Sequence, residues 1–134
     1  MDSVVVDASV ALAWFEQGPQ AEAALKIHDD IIRGVIAASA PDFLLVEAAN
    51  ILFWRKKLDR KHIRAVLEKV FALGISFDET PLTGEVLHLL PIMEEYRVSA
   101  YDAQYLYLAQ KHHCKLVSFD KKLLRIKDWV IAPS

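Results

Sequence analysis

Short runs of branched apolar residues alternate along the chain with longer segments that carry apolar residues at helical spacing. The short runs predict strands over residues 4–6, 35–37, 75–77, 116–118 and 129–131. The longer segments predict helices over residues 8–15, 20–33, 43–58, 60–73, 80–96, 100–113 and 120–125. Strands that alternate with helices are typical of a parallel sheet with helices on its faces. We therefore expect residues 1–134 to form a single α/β domain.

Residues that start or stop helices fall at several of the predicted ends. Asp59 and Ser99 can accept hydrogen bonds from the first backbone N–H groups of the helices that follow them. Gly34 and Gly74 are expected to end two other helices. Pro91 is expected to kink or split the helix over residues 80–96, because proline lacks the N–H group that helical bonding needs.

Four carboxylates interrupt the apolar pattern at the edges of the predicted core elements. Asp7 in VVVDAS and Asp120 in KLVSFD each follow a predicted strand. In parallel α/β sheets the ligand crevice lies at the carboxyl ends of the strands, which is where both acids fall. Glu47 lies in FLLVEAANILFW, a helical segment that is otherwise apolar on nearly every side. Asp102 lies on the apolar side of the helix over residues 100–113.

Each of these acids also has an ordinary structural explanation when it is taken alone. Asp7 and Asp120 are favoured helix caps, and Asp102 gains from the dipole near a helix N-terminus. Glu47 could form a salt bridge, because a buried carboxylate without a partner is costly. One shared site accounts for all four positions together. Carboxylates that converge raise one another's pKa unless a cation is bound.

The residue types at these positions favour a particular kind of metal. Carboxylate oxygens without soft ligands suit Mg²⁺ or Mn²⁺. None of the five histidines has the spacing of a zinc site, and the four dispersed glycines form no phosphate-binding loop for a cofactor. Magnesium held by carboxylates acts mostly on phosphates, where it activates water. Hydrolysis of a phosphodiester bond is therefore the natural hypothesis.

The composition limits where the protein works and what it contacts. Sixteen basic and 18 acidic residues give a formal charge of −2, so the overall balance leaves nucleic-acid binding open. The single cysteine, Cys114, allows no disulfide within the chain and fits a reducing compartment. The N-terminus lacks the pattern of a signal peptide, and no apolar run approaches the ~20 residues that span a bilayer. We expect a soluble, cytoplasmic protein with no membrane contact.

Four segments, VVVDAS, EAANIL, SAYDAQYLYLA and LVSFD, resemble in order and spacing the motifs of the PIN-domain ribonucleases. Within that family the chain is most similar to the VapC-type toxins of toxin–antitoxin systems. The resemblance covers almost the whole chain, and the ordered set is more specific than any one motif. It implies a three-layer α/β sandwich with a five-stranded parallel sheet and helices on both faces. It also implies a metal-dependent endoribonuclease that leaves a 5′-phosphate, forms a homodimer and is inhibited by a cognate antitoxin.

The resemblance also implies roles for individual residues. Asp7, Asp102 and Asp120 match the acids that bind the metal directly or through water. Glu47 matches the family's glutamate, as a ligand or as the base that orients the attacking water. The predicted positioning residues around these acids are Ser9, Asn50 and Ser118.

The chain departs from some relatives after its last matching acid. Those relatives carry another acid a few residues later, whereas here the sequence continues with two lysines and two leucines. The next acid, Asp128, is not assigned as a ligand, and a second metal ion is in doubt.

Basic and aromatic residues are candidates for contact with RNA. Residues 55–64 hold six Lys or Arg in ten, and Lys121, Lys122, Arg125 and Lys127 form a second group. Both groups could bind phosphates, or could simply be solvated helix ends. Several aromatic residues could stack on bases, although core packing is the simpler expectation for most of them: Trp14, Trp54, Tyr101, Tyr105 and Tyr107.

Two other functions compete with the nuclease hypothesis. A receiver-type phosphoacceptor domain has similar length and element order, and Asp78 follows the third strand as such a domain requires. This chain, however, lacks the acidic pair after the first strand and a lysine at a late strand end. The second alternative is a catalytically silent PIN-fold module that binds RNA or a protein. The presence of all four acids argues against that reading.

Overall fold

The computed structural model describes residues 2–15, 18–79 and 84–134, which contain five strands. The strands are β1 Asp2–Val6, β2 Ile36–Pro41, β3 Ser76–Asp78, β4 Lys115–Val117 and β5 Val130–Ile131. They form one parallel sheet in the order β3-β2-β1-β4-β5. Central strand β1 pairs with β2 on one side and β4 on the other, so Val5 aligns with both Ser39 and Leu116. The prediction of a PIN-like α/β fold with five parallel strands is confirmed.

Helices connect each strand to the next, and right-handed crossovers divide them between the two faces of the sheet. The connections that run through β2 to β3 carry α1 to α4, and those that run back through β4 to β5 carry α5 to α7. The helices are α1 Ala8–Leu12, α2 Pro19–Ile32, α3 Leu44–Asn50, α4 Arg60–Ala72, α5 Leu89–Tyr96, α6 Ala100–Lys111 and α7 Lys121–Leu124. Short 3₁₀ helices follow α1 at Ala13–Phe15 and precede α5 at Gly84–His88.

The expected capping residues act as predicted. Asp59 accepts a hydrogen bond from the backbone N–H of His62, and Ser99 accepts one from that of Asp102. Gly34 and Gly74 both have positive φ angles beyond the ends of α2 and α4, a conformation that favours glycine. These contacts fix the starts of α4 and α6 and the ends of α2 and α4.

Two predicted elements have the wrong extent. Strand β2 covers Ile36–Pro41 rather than 35–37, because pairing with β1 and β3 extends it through small residues that have little strand propensity. The helix predicted over 43–58 is regular only to Asn50. It continues as a π-helical turn over Ile51–Arg55, in which the N–H of Lys56 bonds to the carbonyl of Ile51.

The helix predicted over residues 80–96 is split, as the presence of Pro91 predicted. The first residues of the helix predicted over 80–96 lie outside the described part of the chain, and the described part starts with the 3₁₀ helix Gly84–His88. Helix α5 then begins at Leu89, which places Pro91 in its first turn. A proline is tolerated there because the N–H groups of the first turn have no helical partner.

Buried side chains on the two faces of the sheet belong to a single hydrophobic cluster. Val5, Val6, Leu116 and Val117 from the central strands are almost completely buried, and Leu106 of α6 packs in the same cluster. Among the described residues, no helix is both long and apolar enough to cross a membrane.

The strand order excludes the receiver-type alternative. Receiver domains have the order 2-1-3-4-5, in which the third strand neighbours the first. Here β3 is an edge strand and β2 separates it from β1, so Asp78 lies two strands away from Asp7. The two acids therefore do not form the neighbouring pair that such a domain needs.

Candidate active site

The sheet reverses its strand order between β1 and β4. From β1 the chain proceeds outward to β2 and β3, and it then returns to place β4 on the other side of β1. Loops at the carboxyl ends of two such strands separate and leave a crevice, which is the usual ligand position in open α/β sheets. Asp7 directly follows β1 and Asp120 lies three residues after β4, so both predicted acids flank this crevice.

Asp7 is a buried carboxylate held by three donors. Only 6% of the residue is exposed. Its side chain accepts hydrogen bonds from Ser9 Oγ at 2.6 Å, Val10 N at 3.2 Å and Ser118 Oγ at 2.5 Å. Burial raises the pKa of Asp7, whereas the three donors act in the opposite direction. The bond from Val10 makes Asp7 the cap of α1, so the ordinary capping role and the proposed site role coexist.

The two serines connect Asp7 to the loop that carries Asp120. Ser118 Oγ also accepts a hydrogen bond from the backbone N–H of Asp120 at 3.0 Å. Ser9 Oγ accepts one from the N–H of Phe119 at 3.0 Å. Each hydroxyl therefore bonds the end of β1 to the turn after β4, which fixes the two acids relative to each other. The side chain of Asp120 in turn caps α7 by accepting from Lys122 N at 2.9 Å.

Glu47 has a buried tyrosine as its partner. The hydroxyl of Tyr105, which is 1% exposed, donates to Glu47 Oε1 at 2.9 Å. Burial raises the pKa of Glu47, and the negative charges of Asp7 and Asp102 raise it further, while Arg55 lowers it. Burial and the neighbouring carboxylates also raise the pKa of the Tyr105 hydroxyl, so this group remains a neutral donor. The salt bridge considered for Glu47 is thus replaced by a tyrosine hydrogen bond.

Asp102 lies in the first turn of α6 and approaches the crevice from the opposite face of the sheet. Its backbone N–H is bound by Ser99 Oγ at 3.1 Å. Burial raises the pKa of Asp102, and the charge of Asp120 adds to this effect, while Lys122 lowers it. Asp102 is therefore close enough to Asp120 and Glu47 for their charges to interact.

Each of the four acids interacts electrostatically with at least one of the others. Asp120 raises the pKa of Asp7 and of Asp102, and both of those carboxylates raise the pKa of Glu47. Within residues 2–15, 18–79 and 84–134, however, no three Asp, Glu, His or Cys side chains are already placed to hold one ion together. Magnesium usually binds through one or two carboxylates and keeps several waters, so this donor set fits a hydrated Mg²⁺ or Mn²⁺.

The remaining predicted site residues fall into two groups. Ser9 and Ser118 contact Asp7 as described, whereas Asn50 is exposed and its side chain forms no hydrogen bond within the described part of the chain. The positioning role of Asn50 stays a prediction. Asp128 lines an open depression that also contains Asp2, at the amino ends of the strands. That position agrees with leaving Asp128 out of the ligand set.

Sequence reasoning missed the role of Tyr105. It was one of five aromatics for which core packing or base stacking was considered, and its contact with Glu47 joins residues 58 positions apart. A signal was present, since Tyr105 lies three residues after Asp102 on the same helix face. Of the other four, Trp14 and Tyr107 are partly buried, while Trp54 and Tyr101 are both 68% exposed.

Comparisons with known proteins agree with this architecture. A family model described as "PIN domain" matches residues 4–128. PAE2754 from Pyrobaculum aerophilum is 25% identical, with a TM-score of 0.68 over 98% of this chain and 90% of that one. No curated protein matches the chain by sequence.

Two further solved structures share the fold at lower identity. VapBC2 from Rickettsia felis, solved with a DNA fragment from its promoter, is 12% identical, with a TM-score of 0.68 over 98% of this chain and 99% of that one. VapC20 from Mycobacterium tuberculosis, described as a toxin that cleaves the sarcin-ricin loop, is 14% identical. Its TM-score is 0.67 over 92% of this chain and 95% of that one.

Proposed function

Since this chain belongs to the PIN-domain family, we propose that it is a metal-dependent endoribonuclease and the toxin of a VapBC-type toxin–antitoxin pair. The observation that carries the proposal is the set of four carboxylates around the crevice between β1 and β4. Three of them have a raised pKa because of burial and of one another's charge. Such an arrangement is unfavourable in a metal-free fold and becomes favourable when a cation binds.

The acids divide into ligands and a residue for proton transfer. Asp7, Asp102 and Asp120 would hold Mg²⁺ or Mn²⁺, with Glu47 as a further ligand or as the base. A bound ion of this kind lowers the pKa of water and neutralises charge on the phosphate. Tyr105 engages Oε1 of Glu47, which leaves Oε2 to orient a water and take its proton. The water oxygen bonds to phosphorus, the O3′–P bond breaks, and the departing O3′ takes a proton from solvent, so that the products carry a 5′-phosphate and a 3′-hydroxyl.

The proposal extends to partners and location. The similarity in fold to VapBC2 supports a cognate antitoxin as a partner. We also propose a homodimer, because exposed apolar side chains such as Val46, Phe53 and Trp54 give α3 and its π-helical turn a surface that favours protein contact. Light scattering should then give about twice the chain mass of 15.2 kDa. We place the protein in the cytoplasm, where the half-buried thiol of Cys114 stays reduced.

The test is RNA cleavage by the purified protein. Total cellular RNA is incubated with wild-type protein and Mg²⁺ or Mn²⁺, with Asp102→Asn in parallel and with EDTA as a second control. We expect discrete products from the wild type alone, because the variant removes one carboxylate and EDTA removes the ion. Products that persist in the Asp102→Asn sample would come from a contaminating nuclease.

A catalytically silent binding module is the second candidate. The absence of a preformed ion site among the described carboxylates is the observation that keeps this candidate open. Calorimetric titration of Mg²⁺ or Mn²⁺ separates the two readings when it is combined with the cleavage assay. Metal binding without turnover of any RNA would favour the binding module, and cleavage that depends on Asp102 would exclude it.

A further inference from the structure

An exposed tyrosine stands at the edge of the acidic crevice. Tyr101 directly precedes Asp102 in the first turn of α6 and is 68% exposed. Its ring contacts the ring of Phe43 edge-to-face, with a centroid distance of 6.0 Å and an interplanar angle of 71°. Phe43 in turn contacts Tyr105 at 5.3 Å, and Tyr105 binds Glu47. A row of three aromatic rings therefore leads from the catalytic carboxylate to the surface.

The packing of Tyr101 leaves part of its ring free. An edge-to-face contact covers at most one face of a ring, and 68% of Tyr101 is exposed. A large aromatic ring held by a neighbouring ring, with a face open, is suited to stacking on a nucleobase. The position next to Asp102 places a stacked base close to the bond that the carboxylates would hydrolyse.

Two exposed cations lie near the same carboxylates. Lys122 lies in the first turn of α7, where its backbone N–H donates to Asp120 Oδ1 at 2.9 Å. Arg55 ends the π-helical turn that continues α3, about two helical turns after Glu47. Neither forms an ion pair within the described part of the chain, whereas Arg64 of the same basic segment is paired with Glu68. Arg55 and Lys122 come from different elements, so positive charge flanks the crevice at more than one point.

We propose that Tyr101 stacks on an unpaired base of single-stranded RNA next to the scissile phosphate, while Arg55 and Lys122 contact the neighbouring phosphates. This assignment rests on the proposed ribonuclease function and names its substrate-binding surface. RNA fits better than a protein partner, because the carboxylates proposed to bind a cation lie between the exposed cations Arg55 and Lys122, and such a pairing of a metal ion with basic side chains is complementary to a polyanion. Stacking also requires an unpaired base, so single strands and loops should bind better than duplexes.

Photo-crosslinking can test the stacking contact without any turnover. The probe is a random-sequence RNA of about 12 nucleotides, within the usual size of single-strand sites, that carries 5-iodouridine. It is crosslinked to the Asp102→Asn protein, and the adducts are mapped by mass spectrometry. We expect an adduct on Tyr101. A duplex of the same length should give much less adduct.

Variants at the same position separate stacking from other roles. Tyr101→Leu should weaken RNA binding about 5- to 150-fold, because stacking contributes about 1–3 kcal/mol per base. Tyr101→Phe keeps the ring and should bind within about twofold of the wild type, since stacking needs no hydroxyl. Phe71→Leu is the matched control. Phe71 is also exposed, at 60%, and forms a similar edge-to-face pair with Phe77, but it lies near the β3 edge of the sheet.

Salt dependence tests the two cations. For single strands, each phosphate contact contributes about 0.7 to the slope of log K against log salt, so Arg55→Gln with Lys122→Gln should reduce the slope by about 1.4. Lys26→Gln removes an exposed cation from α2, outside both basic groups, and should leave the slope unchanged. An equal reduction with Lys26→Gln would overturn the assignment to Arg55 and Lys122.

The outcomes keep this proposal apart from the proposed function. If the wild type cleaves RNA and Tyr101→Leu cleaves it with equal kcat/KM, the stacking proposal is wrong and the nuclease stands. If the wild type cleaves nothing but Tyr101 still crosslinks, the binding surface stands and the nuclease does not. If Tyr101→Leu changes the oligomeric state and leaves RNA binding intact, Tyr101 belongs to a protein interface and the proposal fails.

Discussion

Replacement of Ser118 by alanine tests how the fold holds its central carboxylate. Ser118 is fully buried, donates to Asp7 Oδ2 and accepts from the N–H of Asp120. The substitution Ser118→Ala removes both hydrogen bonds and leaves Asp7 with two donors. Because Asp7 is only 6% exposed, water cannot readily replace the lost hydroxyl. We expect a clear loss of stability rather than a neutral change.

The size of the loss follows from the charge on Asp7. A hydrogen bond to a charged group contributes about 1.5 to 3 kcal/mol, so Ser118→Ala should lower the free energy of unfolding by about 2 to 3 kcal/mol near neutral pH. For a chain of this length that corresponds to a fall in Tm of roughly 8 to 12 °C. The measurement is urea unfolding in EDTA, followed by circular dichroism. Ser39→Ala is the matched control, because Ser39 lies on β2 and its side chain has no hydrogen-bond partner in the described residues.

The pH dependence gives this prediction its sharpest form. Burial raises the pKa of Asp7 in the folded protein, and loss of the Ser118 hydroxyl would raise it further. The Ser118 hydroxyl therefore stabilises the charged form of Asp7. Its contribution to the free energy of unfolding is complete above the folded-state pKa of Asp7 in the variant. The contribution declines as the pH falls, because Asp7 is then protonated in both proteins. The difference between wild type and Ser118→Ala should shrink in acid. A difference that is small at neutral pH, or equally large in acid, would refute the reasoning.

Three further predictions concern Tyr105, Asp102 and the pH dependence of cleavage. Tyr105→Phe should reduce RNA cleavage about tenfold while costing about 1.5 to 3 kcal/mol of stability, since it removes one hydrogen bond to the Glu47 carboxylate; equal loss in the control Tyr107→Phe would contradict a specific role. Asp102→Asn in EDTA should raise the free energy of unfolding by a few tenths to 1 kcal/mol, because it removes one of several repelling charges. Mg²⁺ should raise Tm in the wild type and not in Asp102→Asn. Scanning calorimetry measures both this Tm shift and the free energy of unfolding in EDTA. Cleavage should increase with pH through a midpoint above the usual carboxylate pKa of about 4, because burial raises the pKa of Asp7, Glu47 and Asp102; a midpoint at or below about 4 would contradict it.

The candidate acids could be identified from local pattern alone. At four positions the sequence has a charged residue where the apolar spacing predicts a core residue: Asp7, Glu47, Asp102 and Asp120. Because burial of a charge is costly, a charge at such a position indicates a specific role. The alternation of strands and helices likewise predicted a parallel sheet. Both signals depend only on residues a few positions apart.

Features that depend on distant contacts could not be predicted. The strand order follows from tertiary packing, and it is what brings Asp7 and Asp120 to one crevice. The bond from Ser118 to Asp7 spans 111 positions and that from Tyr105 to Glu47 spans 58. Strand β2 was misjudged because alanine and serine have little strand propensity and only pairing on both sides makes them extended.

The π-helical turn after α3 gives the protein a point at which the length of the chain can change by one residue. A π turn accommodates one residue more than an α turn, so deletion of a single residue within Ile51–Arg55 would restore regular helix. Glu47 precedes the turn and would keep its place. Side chains after the turn would keep their direction about the helix axis, because the π turn already absorbs the extra residue, so the basic segment that begins at Arg55 would stay in place. Loss of one residue at this turn should therefore leave both the carboxylates and the basic segment where they are.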